Sequence, residues 1–255
     1  MVNPPMIKHP AILILGGTGE ARDLAAKLSE LPVRVITSLA GRTRKPADIP
    51  GEIHAGGFGG VAGLSRFLAV EDINLVVDAT HPFAEKISRN AMLACAEWQV
   101  ARLRLERPAW QPQPGDHWLH AASLEEAARL LPSLCKRPLI TVGSNDFHFF
   151  RDVQGVEIFA RMIEEPPFAE RPPKCQLILE RGPFDHTHEM ALFSRHRIDL
   201  LVTKNSGGSM IDAKLDAARE RGLPVLMIDR PVALPGPCAT TATEALDWLK
   251  TKLDF

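Results

Sequence analysis

The chain contains no tyrosine among its 255 residues. A reductase that protonates its product through a tyrosine–lysine pair cannot work here in that form. Cysteine is scarce. Cys95, Cys135, Cys175 and Cys238 are widely scattered, with no CxxC pair and no cysteine–histidine metal spacing. Reduced thiols in a cytoplasmic protein are expected, and no metal site. Long apolar runs are missing too. The longest is about one strand long, far below the ~20 residues that cross a bilayer. The start, "MVNPPMIKHP", has neither the apolar core of a signal peptide nor an amphipathic targeting helix. Nor is there an excess of charge. Thirty basic residues face 31 acidic ones, a net of −1, so no global field points to nucleic acid. A polyanionic ligand would need a local basic site.

What is present is alternation. Short apolar runs at 12–15, 33–37, 75–78, 101–105, 139–142, 156–160, 177–179, 200–203 and 225–228 read as strands. Helical patterns at 20–29, 60–70, 83–98, 124–131, 186–196, 211–221 and 241–253 lie between most of them. Apolar strands separated by amphipathic helices predict an α/β chain with mostly parallel sheets covered on both faces. "RPAWQPQPGDHW", 107–118, breaks the pattern with three prolines. The expectation is two Rossmann-like three-layer domains, 1–110 and 111–255, with a cleft between them. "LILGGTGE" and "LITVGSND" (139–146) echo each other, each running a strand into Gly-Ser/Thr.

In open parallel sheets, ligands bind beyond the carboxyl ends of the strands. Gly16, Gly17 and Gly19 sit at such an end and lead into a helix at Glu20. Glycine lets phosphate oxygens approach backbone N–H groups, and a helix N-terminus favours the negative charge. The full GxGxxG pattern is not met, because Arg22 holds the third position. The second strand ends in Ser38 rather than an acid, and Arg42, Arg44 and Lys45 follow. That points to a 2′-phosphate and hence NADP(H). A second glycine-rich turn, "HAGGFGG", contains Gly57 and lies where a third strand should end and a helix begin. "VVDATHPFAEKISRNA" puts Asp78, Thr80 and His81 at the fourth strand's end, with Pro82 fitting the first turn of the next helix.

In the second half, "TVGSNDFHFF", "LERGPFDHTHE" and "LVTKNSGG" end three further strands. With Arg161 they form an edge rich in cations and donors, suited to an anionic ligand. His186 and His188 form an HxH pair without a third ligand.

"LGGTGEAR", "SLAGR", "DATHPFA", "VGSNDF" and "TKNSGG", in this order, resemble the precorrin-6A reductase family of cobalamin biosynthesis over nearly the whole chain. The resemblance implies NADPH-dependent reduction of one double bond of a polyanionic tetrapyrrole, by hydride transfer and protonation. It implies Gly16, Gly17, Thr18, Gly19, Glu20, Ser38, Gly41, Arg42 and Gly57 at the cofactor, with Thr80, His81 and Pro82 near the nicotinamide. Lys204, Asn205, Ser206 and Gly207 would contact cofactor or substrate, and Arg161 is taken with them as a substrate-binding residue. His81, Asp146 and Lys204 are the candidate proton donors. The alternatives are the cobalt-containing macrocycle as substrate, or an NADP(H) sensor without turnover. No nucleic-acid or membrane partner is expected, and the chain is expected as a monomer or weak oligomer.

Overall fold

The computed structural model describes residues 9–39, 49–208 and 213–253. Two compact units emerge, Met1–Pro108 with Val232–Phe255, and Ala109–Pro231.

The first unit opens with β1 (Ala11–Leu15), α1 (Gly19–Leu28), β2 (Arg34–Leu39) and β3 (Glu52–Ala55). It continues through α2 (Val61–Val70), β4 (Ile73–Asp78), α3 (Glu85–Glu97) and β5 (Ala101–Leu105). The second unit holds β6 (Trp118–Ala121), α4 (Leu124–Leu134), β7 (Pro138–Ile140) and a 3₁₀ segment at Ser144–Phe150. After these come β8 (Ile158–Met162), β9 (Cys175–Leu179), α5 (His186–His196), β10 (Leu200–Lys204), α6 (Ala213–Glu220) and β11 (Val225–Ile228). The chain ends with β12 (Cys238–Ala239) and α7 (Ala242–Leu253).

Among the described residues the strands form two six-stranded sheets, in orders β12-β5-β4-β1-β2-β3 and β6-β11-β10-β7-β8-β9. Every described strand pair is parallel. The α/β class with two Rossmann-like sheets therefore holds. The orders are equivalent once β1 to β5 are matched with β7 to β11. The echo between "LILGGTGE" and "LITVGSND" falls on matched elements, β1 and β7 with the turns that follow.

The sixth strand breaks the simple division. Each run of five strands hands its next strand and helix to the other sheet. β6 joins β11 in the second, and β12 joins β5 in the first. The expected second domain, 111–255, is corrected accordingly: residues 232–255 belong to the first unit. Cys238 and Ala239 add to the edge beside Arg104 and Leu105. α7 then buries Ala242, Ala245 and Leu249 in the core that includes Leu24 and Leu28 of α1. Burial of this apolar face fixes the return; no local pattern does.

β1 shows how the core is built. Ile12 and Ile14 point into the core shared with α1 and α7, while Ala11, Leu13 and Leu15 point into the core shared with α2 and α3. Alternate residues serve opposite faces, as a pleated strand demands. All five are at most 4% exposed. In the second unit Leu139, Phe159, Leu201 and Met227 pack with Phe193 of α5 and Leu215 of α6.

β6 and β12 are absent from the strands expected of the sequence, and β3 is expected only through the glycine-rich turn that follows it. Each is an edge or near-edge strand with exposed positions. Such strands lack the apolar run that marks an inner one.

Candidate functional site

Parallel strand order reverses at one point in each sheet, between β1 and β4 and between β7 and β10. In open α/β sheets ligands bind beyond the carboxyl ends of the strands at such a point. Four sequence motifs lie at these two points. "GGTG" follows β1 and "ATHP" follows β4. "VGSND" follows β7, and "NSGG" follows Lys204, the last residue of β10.

In the first unit, the Gly16 N–H donates to the Ser38 carbonyl at 2.9 Å. A β-carbon on Gly16 would stand 2.9 Å from Thr37 Cγ2. Gly17 has φ +116, and a β-carbon there would meet no protein atom within 4 Å. The two glycines thus have different reasons: Gly16 allows close packing, and Gly17 allows the turn. Thr18 caps α1, its oxygen accepting the Ala21 N–H at 3.2 Å, while its hydroxyl donates to the Ala79 carbonyl at 2.8 Å. Glu20 lies in the first turn of α1 and pairs with Arg107 at 2.9 Å. Gly57 sits in the turn before α2, whose N-cap, Gly60, offers no side-chain cap. Ser38 is buried at the end of β2. Gly41, Arg42, Arg44 and Lys45 lie outside the described residues.

Asp78, at the end of β4, is fully buried. Its Oδ1 accepts from the Thr80 hydroxyl at 2.7 Å and from Arg104 at 2.8 Å. Arg102 stands 3.9 Å from Oδ2. The Thr80 hydroxyl also meets Arg104 at 3.0 Å and Ser88 Oγ at 3.2 Å. One donor and two acceptor sites are the whole capacity of a hydroxyl, so the side chain of Thr80 holds the turn. Pro82 differs from expectation. α3 begins at Glu85, and Pro82 stands inside a turn closed by the Ala84 N–H on the His81 carbonyl at 2.8 Å. The fixed φ of proline suits the second position of such a turn. The Phe83 N–H donates to His81 Nδ1 at 3.2 Å, which puts the proton of a neutral ring on Nε2.

In the second unit, Lys204 Nζ contacts Asp146 across the switch point. Two candidate proton donors are therefore one ion pair. Behind them Lys214, also buried, donates to Thr203 Oγ1 at 2.6 Å and to Thr141 Oγ1 at 3.3 Å. Ser206 is buried, and Gly207 and Gly208 have φ +67 and +84. The Asn205 side chain is bonded at both ends to the backbone of Trp110. The Asn205 side chain therefore shapes this loop, using one of its donor hydrogens and one acceptor position.

Arg161 departs from expectation. β8 runs two residues further than the sequence suggests, so Arg161 lies within the strand, 7% exposed. Both its terminal nitrogens bond Glu189 of α5, at 2.8 and 3.0 Å, and its guanidinium lies 4.1 Å from the Phe184 ring centroid. Its charge is balanced inside the unit. His186 and His188 face separate carboxylates, Glu220 and Glu180, each at 3.0 Å.

Sequence reasoning missed Arg104, Arg107, Trp110, Lys214 and Arg230. Only "ARLRL" carried a signal: Arg102 and Arg104 on one face of β5 and leucines on the other imply a buried acid opposite.

The profile of the precorrin-6x reductase family, CbiJ/CobK, matches residues 11–250. The chain belongs to that family. A precorrin-6A reductase of Rhodococcus erythropolis is 49% identical over 245 residues, covering 94% of this chain and 97% of that one. One from a Sinorhizobium species is 42% identical, covering 95% of each. A cobalt-precorrin-6A reductase of Priestia megaterium is 31% identical, covering 92% of this chain and 96% of its own. A solved structure titled CobK precorrin-6A reductase superposes with TM-score 0.88 at 37% identity, covering 95% of this chain and 97% of that one. The precorrin-6x reductase family is thus matched in sequence and in fold along nearly the full chain. Among the described residues no helix is long and apolar enough to cross a membrane.

Proposed function

We propose that the protein reduces one double bond of metal-free precorrin-6A to give precorrin-6B, using NADPH. The observation that carries this is the coincidence of the family motifs with the two switch points, in a chain 49% identical to a precorrin-6A reductase. Relatives named for the cobalt-containing macrocycle stand at 27 to 31% identity, below the 38 to 49% of those named for precorrin-6A.

The residues at the first switch point fit a dinucleotide. The turn at Gly17 and the start of α1 present backbone N–H groups to a pyrophosphate. Thr80, Ser88, Asp78 and Arg104 hold the neighbouring turn rigid, and His81 Nε2–H is a donor for the nicotinamide end. A bound reduced nicotinamide supplies the hydride. Arg42 is the proposed contact for the 2′-phosphate.

The second unit is proposed to receive the macrocycle. Lys204, with Ser206 and Gly207, offers donors to its acidic side groups. The balance is one hydride from the cofactor and one proton from a side chain or water, with one double bond saturated. Lys204, Asp146 and His81 are the candidate proton sources. The protein acts mainly through orientation and electrostatics.

The test is anaerobic incubation of the purified protein with metal-free precorrin-6A and NADPH, followed by mass and by NADPH absorbance. Gain of two hydrogens on the macrocycle, matched one to one by NADPH loss, is expected. No change with this substrate but turnover of the cobalt-containing one would reassign the substrate. NADPH binding with neither reaction would leave a sensor. If replacing His81, Asp146 and Lys204 one at a time keeps turnover within tenfold, water supplies the proton.

A further inference from the structure

We propose that Arg230 and Trp110 are positioning residues for macrocycle binding, acting through the loop 205–208. The inference rests on the functional reading above and deepens it. Neither residue belongs to the motifs that carry the family resemblance.

The loop contains two glycines at positive φ, Gly207 and Gly208. Glycine reaches this conformation freely but does not hold it, so a precise loop needs restraints from outside. Arg230 provides two: its Nε donates to the Asn205 carbonyl at 2.7 Å and its Nη2 to the Ser206 carbonyl at 3.1 Å. Trp110 provides three more. Its indole N–H donates to the Gly208 carbonyl at 3.0 Å, and its backbone N–H donates to Asn205 Oδ1 at 2.8 Å. Its carbonyl accepts from Asn205 Nδ2 at 3.2 Å. The Asn205 N–H is tied to the Ile228 carbonyl at 2.9 Å. Trp110 and Arg230 are also the second and second-to-last residues of the unit Ala109–Pro231. Both ends of the unit's chain are therefore fastened to this one loop.

The electrostatic consequence is specific. Carbonyl oxygens carry partial negative charge and repel a carboxylate. In this loop the carbonyls of Asn205, Ser206 and Gly208 accept hydrogen bonds, the first two from a guanidinium. Charge-assisted bonds of this kind are strong. A loop so compensated can present the Lys204 ammonium, the Ser206 hydroxyl and backbone N–H groups to the acidic side groups of the macrocycle. Misplacing such groups by ~1 Å is enough to lose about 100-fold.

The experiment compares wild type, Arg230→Ala, Arg230→Lys and Trp110→Phe. For each, KM and kcat for the macrocycle, the Kd for NADPH and the thermal midpoint are measured. Arg230→Ala is expected to raise KM for the macrocycle at least tenfold, with kcat changed less than threefold and the NADPH Kd unchanged. Lysine keeps the charge but cannot span both carbonyls, so Arg230→Lys recovers part of the loss. Trp110→Phe, which removes the indole N–H bond to Gly208 and keeps an aromatic ring near Lys214, falls between wild type and Arg230→Ala. A KM within twofold of wild type in Arg230→Ala overturns the proposal. So does an NADPH Kd that worsens by the same factor as KM, because a merely structural residue would act on both. If Arg230→Ala fails to fold, Arg230→Lys and Trp110→Phe decide by the same criteria. A wild-type protein that does not turn over the macrocycle refutes the functional reading itself, and that is seen before any variant is made.

Discussion

The Thr18 hydroxyl donates to the Ala79 carbonyl at 2.8 Å. One side chain thereby caps α1 and fastens the glycine turn after β1 to the turn after β4. The two loops that flank the first switch point are thereby tied together. Thr18→Val keeps the shape and removes both hydrogen bonds. It is expected to cost about 1–2 kcal/mol of stability, the usual range for a lost cap with a second bond. NADPH affinity should fall with it. Thr18→Ser should restore both in urea melts and NADPH titrations.

Asp78 is the acid of a buried cluster with Arg102, Arg104 and Glu106. Two carboxylates meet two guanidiniums there. Asp78→Asn leaves an uncompensated positive charge beside a fully buried position, with Arg102 and Arg104 only 7% and 14% exposed. Breaking such a pair from one side costs about 3–5 kcal/mol. Chemical denaturation should show that loss, and adding Arg104→Gln should recover part of it. A double variant less stable than the sum of the singles would refute the pairing.

Gly63 and Gly17 should separate stability from binding. A β-carbon on Gly63 would stand 1.6 Å from the Phe58 carbonyl oxygen, so Gly63→Ala must displace backbone in α2. A large drop in thermal midpoint is expected. Gly17→Ala meets no atom but keeps φ +116, a conformation costing an L-residue about 1–2 kcal/mol. Its drop in midpoint should be smaller, and its loss of NADPH affinity larger than the stability change accounts for.

Arg42→Ala is expected to weaken NADPH binding at least tenfold and to leave NADH binding nearly unchanged. Equal losses for both cofactors, measured by fluorescence titration, would remove Arg42 from the 2′-phosphate.

Burial pushes the Cys95 and Cys175 thiols up to about 11 and the Cys135 thiol to about 12. The exposed Cys238 is raised less, again chiefly by burial. A disulfide reagent at pH 8 should therefore label Cys238 first, with Cys95 and Cys135 protected until the protein unfolds. The sign for stability follows from the raised values. The folded state keeps these protons while the unfolded chain begins to lose them near its ordinary thiol value, so stability is complete at neutral pH and declines above about pH 9. Cys95→Ala should flatten the thermal midpoint between pH 9 and 11.

The inner strands and the helices were legible because each is written in its own residues. The pleat alternates Ile12 and Ile14 with Leu13 and Leu15, and the Ser, Thr and Gly punctuation marks the ends. The positions of "GGTG", "DATHP", "VGSND" and "TKNSGG" at strand ends were legible for the same reason. What these ends share is a property of strand order, and order depends on pairing between residues far apart in the chain. So only the tertiary structure decided that β12 returns to β5 and that all four motifs flank reversals of order. It also decided which charges lie within a strand and which stand at an open strand end. Arg161 and Lys204 look alike in sequence, each a cation at the end of an apolar run. Register places Arg161 inside β8 against Glu189, where its charge is balanced, and Lys204 at the open end of β10 against Asp146. The sequence by itself determines which segments become strands and helices; long-range pairing and register, set by burial, determine which of their side chains stand at the open strand ends.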